Sequence, residues 1–107
     1  GKYLGGQMPQ GSRLALFGDG PLMMRYKGDK TQQAIEMYVN LAKKYEIDPA
    51  QLAIQFCNIQ PFVTSTIIGA TTMEQLKTCI DSVDLDITKE IMNEIRGIHK
   101  EIPNPAP

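Results

Sequence analysis

The sequence predicts an α/β segment that is mostly helical and carries one clear strand. Three observations predict it. Apolar residues recur at helical spacing in four separate stretches. A β-branched apolar run, Thr66-Ile67-Ile68, reads as a buried strand and leads through Gly69-Ala70 into a helical pattern. Finally, Ile87, Ile91, Ile95, Ile98 and Ile102 follow one another at intervals of 4, 4, 3 and 4, a seam along one helix face.

The 107 residues suffice for one small domain with a modest core. The formal net charge of −1 and the lack of a basic run longer than two residues argue against a nucleic-acid partner or a membrane-binding face. No apolar stretch approaches a membrane span, and no signal-peptide pattern is present. Cys57 and Cys79 are 22 residues apart and form no CxxC pair, so reduced thiols in a cytoplasmic protein are expected.

Residues 1–30 are expected to form a long loop, because Gly5-Gly6, Pro9, Gly11, Gly18, Gly20-Pro21 and Gly28 interrupt any period. Residues 31–46 follow as an amphipathic helix. Its stripe is Ala34, Ile35, Tyr38, Leu41, Ala42 and Tyr45, and Asp29 or Thr31 serves as the cap. Asp48-Pro49-Ala50-Gln51 is a strong helix start: Asp48 caps, Pro49 fits the first position and Gln51 closes a capping box. That helix stops before Pro61 and is expected to be largely buried, since Leu52, Ala53, Phe56, Cys57 and Ile59 cover most of its circumference.

The stretch Ser65–Ile80 organises the rest. Thr72 is an N-cap for a helix running to about Val83, with Gln75 three residues on to complete a capping box. A strand, Gly turn and capped helix aim free N–H groups and the positive helix end at one point, which suits a phosphate. Asp84-Leu85-Asp86 then connects to a last helix, 89–102, capped by Thr88, and residues 103–107 form an extended Pro-rich tail. His99, the only histidine, has no acidic or nucleophilic partner beside it and reads as structural. No catalytic constellation and no metal-ligand spacing are present. One buried-type strand cannot complete a sheet, because it leaves two unpaired edges. The chain opens on Gly1-Lys2-Tyr3-Leu4 with no strand before it. The expectation is a helical domain with one extended segment, or part of a larger α/β protein.

Several motifs in order resemble one family across essentially the whole chain. Gly1-Lys2-Tyr3, a Gly-rich loop and Ser12-Arg13 resemble the segment after the seventh strand of aldo-keto reductases. IIGATTMEQLKTCID resembles their eighth strand and the helix after it, and DPAQLAIQFCNIQPFVTSTIIGATTMEQL looks most like the bacterial Tas-type branch, with potassium-channel β-subunits more distant. The resemblance implies the last third of a (β/α)8 TIM barrel, an oxidoreductase fold with its site at the C-terminal strand ends. Residues 1–30 would be the loop after strand seven, 31–60 helices, 65–83 strand eight with the cofactor-binding helix, and 87–102 the C-terminal helix.

The resemblance also implies NADP(H) as cofactor. Lys2 and Arg13 match basic positions on the pyrophosphate side. Gly69 and Thr71 match positions that meet the adenosine phosphate. Thr72 falls near the 2′-phosphate, where relatives place Arg, Lys or Asn. Gln75 matches a Gln at the adenosine end, and Thr78 and Cys79 stand where relatives often have Glu and Asn at the adenine. The family's Asp, Tyr, Lys and His tetrad precedes this segment, so no catalytic residue is expected here. An alternative is a catalytically silent small helical protein. Isolated, either form is expected to be a homo-oligomer that buries its apolar helices.

Overall fold

A computed structural model describes residues 9–18, 20, 24 and 26–106, apart from the side chains of Arg13 and Leu14. Lys2 lies outside the described residues. The elements are α1 (Arg13–Phe17), α2 (Asp29–Lys44), α3 (Pro49–Asn58), α4 (Met73–Asp81) with a 3₁₀ turn at Ser82–Asp84, and α5 (Lys89–Glu101).

The core lies where α2, α3 and α5 meet. Leu41 and Ala42 of α2, Leu52 of α3, and Ile91, Ile95 and Ile98 of α5 form one buried cluster, with Tyr38, Phe56 and Ile87 packed on its edge. The isoleucine seam is therefore the face that α5 turns inward, as its spacing predicts. Burial holds the Tyr38 phenol above its ordinary range. Across the α2–α5 contact, Glu94 accepts from Lys44 Nζ at 2.7 Å and from Tyr45 Oη at 2.5 Å. Lys44 first and then Tyr45 hold the Glu94 carboxyl below its usual range, and the same bonds raise both donors. The pair is solvent-exposed, so it fixes orientation more than it stabilises.

Helix ends follow local chemistry. Asp48 Oδ1 accepts from the N–H groups of Ala50 at 2.8 Å and Gln51 at 3.1 Å, and Thr88 Oγ1 accepts from Ile91 N–H at 3.3 Å. The box expected at Gln51 does not close. Its amide instead donates to the Thr78 carbonyl at 3.2 Å, tying α3 to α4. Helix α2 begins at Asp29, with Gly28 in the cap position and no side-chain cap from Asp29 or Thr31. Thr31 Oγ1 donates to the Pro105 carbonyl at 2.5 Å, which fastens the tail to the start of α2. At its other end α2 closes in a Schellman motif: Glu46 N–H bonds to Lys43 O at 3.1 Å and Ile47 N–H to Ala42 O at 2.9 Å. Glu46 takes the left-handed position there, with φ 56°, at a cost of roughly 1–2 kcal/mol relative to a right-handed residue.

Three further expectations are corrected. Residues 1–30 are not all loop, because α1 forms within them. Ser12 caps it by accepting from Ala15 N–H at 3.3 Å, and Arg-Leu-Ala-Leu-Phe is a helix-forming run between Gly11 and Gly18. Helix α3 is not largely buried. Leu52 is its one buried residue, while Ala53 and Cys57 are exposed and Ile59 is 42% exposed. Its neighbours α2 and α4 cover only part of its surface. The clear strand at Thr66-Ile67-Ile68 is likewise not present: no strand occurs among the described residues. No described segment offers it a hydrogen-bonding ladder, and Ile67 is 96% exposed.

Candidate functional site

The site is built from two turns. In the first, Ser12 N–H bonds to Pro9 O at 3.0 Å. Gly11 occupies the third position with φ 77°, the left-handed conformation that a type II turn requires there. The second turn runs from Gly69 to the start of α4. Thr72 Oγ1 accepts from Gln75 N–H at 3.1 Å, half of the expected capping box. The reciprocal half shifts by one residue. Gln75 Oε1 accepts from both the N–H and the hydroxyl of Thr71, each at 3.0 Å, so the glutamine locks the turn from Thr71 rather than from the cap. The N–H groups of Met73 and Glu74 have no acceptor among the described residues, as expected for the first turn of a helix.

A cleft of about 610 Å³ opens between the two turns. Pro9, Gln10, Gly11 and Ser12 line it from the first, with Ala50 of α3. Gly69, Thr71, Gln75, Thr78 and Cys79 line it from the second. Five of the predicted site residues thus share one cavity of the size that small-molecule ligands occupy. A Cβ placed on Gly69 meets nothing within 4 Å, so the backbone there is open to close approach. Thr78 faces the cleft with its hydroxyl donating to Glu74 O at 3.0 Å, while Cys79 is a half-buried free thiol.

The other predicted residues separate. Thr72 does not line the cleft; its hydroxyl is committed to the cap. The backbone of Arg13 opens α1 directly after Ser12, but its side chain lies outside the described residues, as does all of Lys2. Gln10 and Ala50 were not singled out by sequence reasoning. Gln10 carries no motif, and Ala50 reaches the cleft only through the position of α3. A second opening of about 720 Å³ lies between α2 and α5 beside Lys44 and Glu94, and none of the predicted site residues lines it. No cluster of potential metal ligands occurs among the described residues, and no helix among them is long and apolar enough to cross a membrane.

Comparison with known proteins agrees with the sequence pattern. The model of the aldo/keto reductase family matches residues 5–100. The chain is 46% identical to Protein tas of Escherichia coli over 107 residues, all of this chain and 30% of that protein. It is 35% identical over 103 residues to an aldo-keto reductase of Babesia bovis, covering 92% of this chain and 35% of that one. A probable voltage-gated potassium channel subunit beta of Oryza sativa is 31% identical over 105 residues, 96% of this chain and 32% of that protein. The chain thus spans about a third of the length of these curated relatives. A family match across most of its length, with motifs in the same order, shows that this chain belongs to the aldo/keto reductase family.

Proposed function

We propose that this chain is the cofactor-gripping C-terminal part of an NADP(H)-dependent carbonyl reductase, the last third of a (β/α)8 barrel. The observation that carries the reading is the convergence of Gly69, Thr71, Gln75, Thr78 and Cys79 on one cleft. The lining fits a nucleotide. It carries hydroxyl and amide groups, an open glycine and a locked turn beside the N-terminus of α4. Gly69 and Thr71 would hold the adenosine phosphate, Gln75, Thr78 and Cys79 the adenosine end, and Lys2 and Arg13 the pyrophosphate. The bound cofactor supplies hydride, and this chain supplies binding and orientation. Among the described residues, the cleft lining includes no tyrosine, histidine, lysine or carboxylic acid to protonate a carbonyl, so by itself the chain is expected to reduce nothing.

Titration of the 107-residue chain with NADPH, followed by nicotinamide fluorescence, tests the reading. Saturable binding is expected, weakened about tenfold by Gln75→Ala, because the unlocked turn no longer presents its donors. Arg13→Ala is expected to weaken it through the pyrophosphate. Binding that ignores both substitutions would refute the proposal.

The exposed apolar surface favours a second property. Phe62 is 81% exposed, Ile67 96% and Val83 63%. Large apolar side chains left this open favour association, because contact with another copy removes them from water. The isolated chain is therefore expected to form homo-oligomers in light scattering, and a monodisperse monomer would contradict this.

A further inference from the structure

We propose that the outer face of α5 is a self-pairing surface, on which a second copy of this chain lays its own α5 parallel to the first about a two-fold axis at Gly97. The inference is independent of the cofactor reading, and none of Phe62, Ile67 and Val83 lies on α5. The isoleucines take the inward side of the helix, and the charged residues divide the outward side. At about 100° per residue, Glu90, Glu94 and Glu101 fall on one flank and Lys89, Arg96 and Lys100 on the other, with Gly97 between them. The acidic flank borders the opening between α2 and α5, which Glu94, Gly97 and Glu101 help to line.

This segregation costs the helix locally. Glu90 and Glu94, like Arg96 and Lys100, are like-charged pairs four residues apart, which destabilise an isolated helix. Glu94 is matched by Lys44. Lys89, Glu90, Arg96, Lys100 and Glu101 are exposed and have no ion pair among the described residues. Gly97 is a second, separate feature. It sits inside the helix, where glycine is unfavourable, and a Cβ there would meet nothing within 4 Å. The fold of one chain does not require it, whereas a second helix backbone passing close by would use the room it leaves.

The charges choose the orientation. In a parallel two-fold pair, the basic flank of each helix faces the acidic flank of the other. Lys100 of one copy then meets Glu101 of the other, and Lys89 meets Glu90, each contact occurring twice. An antiparallel pair would set Glu101 against Glu94 and Lys100 against Arg96, like against like. A contact this short and polar belongs to the weak, salt-sensitive class.

Sedimentation of the 107-residue chain over a range of concentrations tests the pairing through two charge reversals at exposed positions. Lys100→Glu and Glu101→Lys are each expected to weaken self-association about tenfold. An equimolar mixture of the two variants is expected to restore it, because both contacts then join opposite charges again. Gly97→Leu is expected to weaken association while helix content, read by circular dichroism, is kept. Reversals without effect, tightening by Glu101→Lys alone, or a mixture no stronger than its components would each overturn the inference. If association persists unchanged through both reversals, the apolar surface at Phe62, Ile67 and Val83 remains its source. A parent chain that stays monomeric at every concentration would overturn both.

Discussion

Replacing Ile95 by alanine is expected to destabilise the chain by about 3 kcal/mol, the usual cost of truncating a buried isoleucine and leaving a cavity. Ile95 is 6% exposed and packs in the cluster with Leu41, Ala42, Leu52, Ile91 and Ile98. Three helices meet at this cluster, so the cavity would loosen α2, α3 and α5 together. Few side chains share the load: the buried hydrophobic residues number eight among the described residues, two of them alanines. A loss of about 3 kcal/mol is then a large fraction of the 5–15 kcal/mol typical of a folded domain. Urea unfolding read by circular dichroism measures it. Val83→Ala, at a site 63% exposed, is the comparison and is expected to change stability by less than about 0.5 kcal/mol. Equal effects at the two positions would mean that the isoleucine seam is not the core.

Replacing Gly69 by valine is expected to leave stability within about 0.5 kcal/mol and to weaken NADPH at least about tenfold. The two halves of this expectation have separate physical causes. Gly69 does not occupy the left-handed region, so a β-branched residue fits the backbone, and an added Cβ meets nothing within 4 Å of the protein. The glycine is therefore not required by the fold. It does line the cleft, where new methyl groups would occupy the path of a phosphate toward the turn. Unfolding measurements and NADPH titration on the same variant distinguish the two outcomes. A loss of stability would assign Gly69 a structural role, and unchanged affinity would remove it from the site.

Where local chemistry decides, the sequence is readable. Asp48, Thr72 and Thr88 cap the helices they precede, because a short acceptor side chain satisfies N–H groups within its own first turn. The seam at Ile91, Ile95 and Ile98 is buried because one periodic stripe must find a partner. What failed depends on distant neighbours. Thr66-Ile67-Ile68 has the composition of a strand, yet a strand exists only when another segment bonds to it. Helix α3 has the composition of a buried helix, yet its burial depends on what packs against each side. The two glutamines make the same point in the site itself. Gln51 and Gln75 occupy equivalent capping positions, but Gln51 reaches the Thr78 carbonyl across to α4 while Gln75 turns back onto Thr71. The strand–turn–helix pattern pointed to Gly69, Thr71 and Gln75 of the cleft wall, and the family resemblance added Thr78 and Cys79. The opposing wall, from Pro9 to Ser12, was visible in sequence only as a glycine-rich loop.

If the cleft between the turns at 9–12 and 69–72 grips an adenine dinucleotide, as proposed, ¹H–¹⁵N amide spectra of the chain during titration with NADP⁺ will report it residue by residue. Saturable shifts are expected at the amides of Gly69, Thr71, Met73, Glu74 and Gln75 and at Gly11 and Ser12 opposite, while Ile95 and its core neighbours stay fixed. Shifts confined to the groove between α2 and α5, around Lys44 and Glu94, or no saturable shifts at all, would contradict it.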